Sequence, residues 1–152
     1  MNGTSRSEWL TVRVQFVLAA FFVVAGIAKI ADPPGFAHEI HNYKMVPGAL
    51  VNAMALILPW IEVVTGVALF LGIARRTAAK VLGILLLVFI AALGVNLARG
   101  HPVDCGCFGT STGQKTDAER LRDMKIAIAR DVGLLILAAQ ILWATRREYT
   151  RP

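Results

Sequence analysis

Charged residues are scarce in this sequence. Of its 152 residues, 17% are Asp, Glu, Lys or Arg and 56% are hydrophobic, whereas soluble domains carry about 25% charged and about 45–50% apolar residues. The shortage of charge argues against an ordinary soluble domain and indicates a chain that is surrounded by lipid.

Cysteine is equally scarce. The chain has two cysteines, Cys105 and Cys107, separated by one glycine. A disulfide between residues so close in sequence closes almost no loop and stabilises a fold little, which argues against a structural staple. With no second cysteine pair, the chain also lacks the residues to relay electrons from one internal pair to another.

Acidic residues are outnumbered by basic ones, 10 against 16, which gives a net charge of +6. Such an excess is typical of nucleic-acid-binding proteins. Here, however, the basic residues form short clusters beside apolar segments and are not interleaved with aromatic residues. We therefore expect no nucleic-acid partner.

Four long apolar runs dominate the rest of the sequence, at 9–31, 50–74, 78–98 and 126–145. Each is close to the ~20 residues that a helix needs to cross a ~30 Å hydrocarbon core. The first run is longer than the ~7–15-residue apolar stretch of a cleavable signal peptide, and continuous runs differ from the alternating pattern of membrane β-strands. The sequence predicts an all-α polytopic membrane protein, a single four-transmembrane-helix bundle over 1–152.

The distribution of charge predicts how the bundle is oriented. If the N-terminus, the loop between the second and third spans and the C-terminus share one side, that side holds eight basic and two acidic residues, and the rest of the chain holds eight of each. The whole net charge then lies on one face, as the positive-inside rule describes. We therefore expect a multi-pass protein of the bacterial inner membrane with cytoplasmic termini and with loops 32–49 and 99–125 outside.

Both outer loops carry helix signals. Residues 36–45, between Pro- and Gly-containing turns, predict a short interfacial helix. Thr116 and Glu119 have the spacing of a capping box, so a helix is expected to begin at Asp117 and to continue into the fourth span.

Glu62 lies about halfway along the second span, where an unpaired carboxylate costs about 2.5–3.5 kcal/mol or more. Lys29 is the nearest candidate partner, and Arg130 and Asn96 are also available. Two interpretations stay open: a buried ion pair that clamps the first two spans, and a role in binding a ligand or handling protons. Glu62, Lys29 and Trp60 are therefore candidate cofactor-site residues.

The stretch "HPVDCGCFGT", 101–110, contains both cysteines in a polar outer loop that we designate the redox loop, 99–116. Outside the bacterial inner membrane, disulfides persist. Gly106 allows the sharp turn that a bridge between its neighbours requires. A ring so small is strained, and strained, exposed disulfides are the oxidising and labile ones.

Three interpretations of this turn remain: redox exchange, an inert pair, and a metal site. Redox exchange is favoured, with Cys105 and Cys107 as the catalytic residues. A metal site would draw on His101, Asp104 and the two cysteines, but the cysteine spacing does not suit zinc, and only soft Cu(I) tolerates two thiolates alone. We therefore assign no residue to a metal.

The chain resembles the MauE/DoxX family of redox-associated four-helix membrane proteins, nearer to MauE. The matching segments, in chain order, are "AGIAKI", "LPWIEVVTG", "RRTAAK", "CGCFG" and "ARDVGLL". The resemblance implies an inner-membrane protein for disulfide formation or maturation of exported proteins. It implies that Cys105 and Cys107 are the redox pair and Glu62 the membrane acid.

The resemblance also implies partners. In a methylamine-utilisation setting, the exported client is the cysteine-rich small subunit of methylamine dehydrogenase, and a periplasmic thioredoxin-like protein takes part. Electrons would leave either to that protein or to a quinone held near Glu62 and Trp60. The lack of a second cysteine pair favours the protein. The alternative is a non-catalytic assembly or anchoring subunit of a larger membrane complex or oligomer.

Overall fold

The computed structural model describes residues 6–104 and 115–149. Within these ranges the chain forms five α-helices and no strand. They are α1 (Arg6–Ala31), α2 (Pro33–Asn42), α3 (Gly48–Phe70), α4 (Arg75–Ala98) and α5 (Asp117–Tyr149). All except α2 are long and apolar enough to cross a membrane. The predicted all-α, four-transmembrane-helix architecture is confirmed.

The turn between α3 and α4 comes earlier than the apolar run suggests. We predicted that the second span extends to residue 74, whereas α3 ends at Phe70. Gly72 has a φ of +73°, and its N–H donates to the carbonyl of Leu69 at 3.1 Å while the next N–H donates to Ala68 at 2.8 Å. These bonds form a Schellman motif, which ends a helix at a left-handed residue. Apolar composition alone does not reveal such a stop.

A second Schellman motif ends α4. Gly100 has a φ of +68°, and its N–H donates to the carbonyl of Leu97 at 3.1 Å while the N–H of His101 donates to that of Asn96 at 3.0 Å. The motif turns the chain out of the helix and sets the starting position of residues 101–104.

Glycines allow α1 and α3 to pack closely. A Cβ atom added to Gly26 would lie 2.6 Å from Val63 Cγ2 and 2.9 Å from the carbonyl oxygen of Pro59. A Cβ atom added to Gly66 would lie 3.2 Å from the carbonyl oxygen of Ala19. Small residues at such contacts let the backbones of membrane helices approach each other.

The short helix α2 covers one end of the bundle. Its N-cap residue Asp32 accepts a hydrogen bond from the N–H of Gly35 at 3.0 Å, and Pro33 occupies the first turn, where a proline is tolerated. Phe36 and Ile40 are buried and pack against α3. The predicted short helix therefore exists, spans Pro33–Asn42 instead of residues 36–45, and turns its apolar side chains towards the bundle.

The predicted start of α5 is confirmed. The Glu119 carboxylate accepts a hydrogen bond from the backbone N–H of Thr116 at 2.8 Å, and the Thr116 hydroxyl accepts from the N–H of Glu119 at 3.4 Å. The helix then runs without a break for 33 residues. At about 1.5 Å per residue, it is longer than a ~30 Å hydrocarbon core requires.

Gly26→Ala should destabilise the protein. Its new methyl group must displace Val63 or the backbone at Pro59, and such overpacking costs about 1–3 kcal/mol. The matched control is Gly94→Ala in α4, where an added Cβ has nothing within 4 Å. Thermal unfolding in detergent should give a lower Tm for the first variant and an unchanged or higher Tm for the second; equal values would contradict the close packing.

Acid should loosen the first turn of α5. The hydrogen bonds that Glu119 accepts from Thr116 lower the pKa of Glu119 below its ordinary value of 4.5. A lowered pKa means that the ionised carboxylate stabilises the turn at neutral pH, and this contribution is lost as the pH falls through the lowered pKa. The protection factor of the Thr116 amide, which is its intrinsic exchange rate divided by its observed rate at the same pH, should fall below pH 4.5, and Glu119→Gln should show less acid dependence.

Candidate functional site

A buried ion pair joins α1 to α3. The Nζ atom of Lys29 lies 2.7 Å and 2.8 Å from the two carboxylate oxygens of Glu62. The two side chains are only 4% and 1% exposed. The rings of Phe36 and Phe89 lie 5.1 Å and 4.9 Å from the ammonium, within the range of cation–π attraction. The predicted pairing of Glu62 with Lys29 is present.

A second charged pair lies nearby on α5. Asp131 is buried, and its carboxylate accepts hydrogen bonds from Arg130 Nε at 2.9 Å and Nη2 at 2.8 Å. Electrostatic interactions connect Asp131 with both Lys29 and Glu62. Two cations and two anions therefore form one charged cluster, made of Lys29, Glu62, Arg130 and Asp131, inside the bundle.

Asp131 was missed in the sequence, although its signal was present. It is an acidic residue within the fourth apolar run, as Glu62 is in the second, and intramembrane ionisable residues are functional candidates by default. In the sequence, its neighbour Arg130 is available as a cation for Glu62. In the structure Arg130 pairs with Asp131 instead.

The other candidate residues lie apart from the ion pair. Trp60 is 57% exposed, and because residues two apart in a helix point in nearly opposite directions, it lies on the other side of α3 from Glu62. Asn96 is buried and donates to the carbonyl of Ala92 at 3.0 Å. The structure therefore joins Lys29 with Glu62 and does not bring Trp60 to them.

Cys105 and Cys107 lie outside the described residues, but the chain on either side of them is described. At the first end, Val103 is buried, packs with Met124 and Leu93, and its N–H points at the Met124 sulfur at 3.4 Å. This apolar contact holds residues 101–104 against the start of α5.

Charged contacts hold the two ends of the segment together. Asp104, the last described residue before the cysteines, has carboxylate oxygens 3.9 Å from Lys115 Nζ and 3.9 Å from Arg120 Nε. Lys115, the first described residue after them, also pairs with Asp123 at 2.8 Å. We call Asp104, Lys115, Arg120 and Asp123 the loop-base cluster. It brings together positions 104 and 115, which are 11 residues apart in sequence.

A polar cavity of about 500 Å³ opens beside the loop-base cluster. Its walls come from α2, from Lys44, from residues 101–104 and from Arg120. The cavity shows that the loop after α1 and the loop after α4 lie at the same end of the bundle, as the predicted topology requires. Within the described ranges, no three His, Cys, Asp or Glu side chains are grouped to hold a metal ion.

The sequence that forms this bundle matches a known family. The model of the family described as "Methylamine utilisation protein MauE" matches residues 7–144, most of the chain. The chain belongs to the MauE family.

Curated MauE proteins give the same assignment. The chain is 36% identical over 108 residues to the methylamine utilization protein MauE of Methylophilus methylotrophus, covering 70% of this chain and 55% of that protein. It is 30% identical over 135 residues to MauE of Methylorubrum extorquens, covering 88% of this chain and 69% of that protein. With MauE of Paracoccus denitrificans it shares 35% over 96 residues, 62% of this chain and 52% of that protein.

This MauE-family chain thus spans only about half to two thirds of the length of the curated relatives that it matches. No solved structure matches it.

Replacing one partner of the buried ion pair should destabilise the fold more than replacing both partners. Lys29→Met or Glu62→Met alone leaves an uncompensated buried charge, which costs about 3–5 kcal/mol, whereas the double replacement removes both charges and should recover much of that loss. Lys115→Met is the matched control, because that lysine is partly exposed and such pairs contribute about 0–1 kcal/mol. A double-mutant cycle on thermal stability in detergent measures the coupling, and strictly additive losses would be the contrary result.

Proposed function

We propose that this protein is a multi-pass inner-membrane protein that supports disulfide formation in exported proteins by thiol–disulfide exchange at Cys105 and Cys107. One observation carries the proposal. The chain's only two cysteines, one glycine apart, lie between positions 104 and 115, which the loop-base cluster holds at the end of the bundle. A small disulfide ring on such a segment is strained and therefore readily exchanged.

The charge distribution supports an export-side location for these cysteines. The net charge of +6 falls entirely on the N-terminus, the α3–α4 turn and the C-terminus. The cavity residues and the ends of the cysteine segment lie at the opposite end of the bundle. By the positive-inside rule, that opposite end faces away from the cytoplasm, where the environment of a bacterium is oxidising.

The exchange proceeds by two successive thiol attacks. A client thiolate attacks one sulfur of the Cys105–Cys107 disulfide, forming a mixed disulfide and releasing the other cysteine as a thiolate. A second client thiolate then attacks the mixed disulfide, so that the client gains a disulfide and this protein gains a dithiol. The client has lost two electrons and, overall, two protons.

Electrons must leave before the next cycle, and we propose a thioredoxin-fold protein as acceptor. Its disulfide takes the two electrons from Cys105 and Cys107 by the same chemistry and is itself reduced to a dithiol. Trp60 and Glu62 lie on different sides of α3, so they do not line one quinone site. Lys29 and Glu62 also neutralise each other, which suits a clamp between helices.

The client class follows from the relatives, which are methylamine utilization proteins by name. We extend that role to this chain. The client that the resemblance implies is the cysteine-rich small subunit of methylamine dehydrogenase.

A non-catalytic assembly subunit is the second candidate. The charged cluster favours it, since four mutually compensating charges inside the bundle are suited to holding helices in place. In that case the cysteines have no part in the activity, and replacing both by serine leaves it intact.

Single cysteine variants should trap the partner. In Cys107→Ser or Cys105→Ser, the mixed disulfide has no second thiol to resolve it within the chain, so a covalent adduct should accumulate. Cells that express the partner proteins are treated with acid to quench exchange, and adducts are resolved on non-reducing gels. The double serine variant is the control and should give none. No reductant-sensitive adduct from either single variant, together with full activity of the double variant, would favour the assembly subunit.

A further inference from the structure

The proposed exchange does not use the polar cavity beside the loop-base cluster. Its ten lining residues come from three separate parts of the chain, and among them Pro102 and Val103 are the only large apolar ones. Its volume of about 500 Å³ falls within the ~300–1,000 Å³ typical of ligand sites. Those sites are mostly apolar, so this lining is unsuited to a quinone ring or an acyl chain.

The lining offers hydrogen-bond donors and acceptors together. Lys44 and Arg120 can donate, Glu39 and Asp104 can accept, and Asn42 can do both. A site for phosphate or another simple anion would be dominated by donors and positive charge. An extended peptide displays an N–H and a C=O at every residue and therefore requires both kinds of partner.

The cavity reaches the cysteine segment. Asp104 lines it, and Cys105 is the next residue in the chain, so a polypeptide bound against Asp104 lies one residue along the chain from Cys105. Buried polar atoms also lie at this wall: Asp104 Oδ1 and Arg120 Nε have no hydrogen-bond partner within the described residues. Buried polar groups are normally satisfied, so this wall holds hydrogen-bonding capacity that the described residues leave unused.

We propose that this cavity binds an extended, cysteine-bearing segment of the exported client and holds it beside Cys105. The proposal rests on the proposed function and adds a recognition site to it. The helix α2, the residues that follow α4 and the first turns of α5 then form a peptide-binding surface. The same cavity selects polypeptide thiols over small thiols, because a small thiol has no backbone for the lining to bind.

The test uses two disulfide reagents with the same leaving group, on the purified full chain in detergent with its cysteines reduced. One is a short peptide whose single central cysteine is coupled to thionitrobenzoate; the other is dithiobis(nitrobenzoate), which has no peptide. In each case a cysteine thiolate of the protein attacks the disulfide and thionitrobenzoate leaves as the more acidic thiol. Its absorbance gives the rate.

His38→Ala with Asn42→Ala removes two lining side chains on α2, and His41→Ala is the matched control, because His41 is on the same helix but does not line the cavity. The cavity variant should slow the peptide reaction about three- to tenfold, as expected for one lost hydrogen bond or slightly more. It should leave the reaction with the small reagent unchanged, and the control should change neither. Equal effects on both reagents, or none, would overturn the proposal.

A binding measurement separates failure of the cavity from failure of the redox chemistry. The same peptide with serine in place of its cysteine, carrying a fluorophore, is titrated with the Cys105→Ser/Cys107→Ser protein. If neither reagent reacts with the wild-type cysteines, the proposed exchange fails; binding that the cavity variant weakens would still support the peptide site. Absence of binding rules the peptide site out. Preferential binding of glycerophosphoethanolamine, a soluble lipid headgroup, also rules it out.

Discussion

The ion pair between Lys29 and Glu62 is the constraint on which the rest of the bundle depends. Both side chains are almost completely buried, so neither charge is stabilised by water, and each is tolerated because the other lies within 2.8 Å. Separating α1 from α3 would expose two charges to hydrocarbon at once, which is far more expensive than losing apolar contacts. The close approach at Gly26 and Gly66 keeps the two backbones near enough for this pairing.

The remaining spans are arranged around the same pair. Phe89 of α4 and Phe36 of α2 place their rings beside the Lys29 ammonium, and α5 adds a second neutral pair, Arg130 with Asp131. The four charges balance, so the cluster carries no net charge into the membrane. The ion pair therefore joins α1 to α3, and α2 and α4 each place an aromatic ring against it.

Much of the architecture was predictable because lipid imposes simple rules. Long apolar runs gave the four spans, Thr116 and Glu119 gave the start of α5, and Lys29 was predicted to pair with Glu62 because few intramembrane charges compete. The end of α3 at Phe70 was not predictable from hydropathy, since Gly72 and its neighbours are as apolar as the helix. Asp131 was not predicted as a site residue, because the adjacent Arg130 was assigned as a possible partner of Glu62. The cavity could not be predicted from the sequence, because its walls come from α2 and residues 101–104, which are distant in sequence and meet only after folding.

The two ends of the cysteine segment are anchored by different forces. Val103 is held by apolar contact with Met124, whereas Lys115 is held through partly exposed charges, 3.9 Å from Asp104 and 2.8 Å from Asp123. Dissolved salt screens exposed charges over about 8–10 Å and leaves an apolar contact intact. The contact that holds Val103 is therefore insensitive to salt, whereas the contacts that hold Lys115 weaken as the ionic strength of the surrounding medium rises.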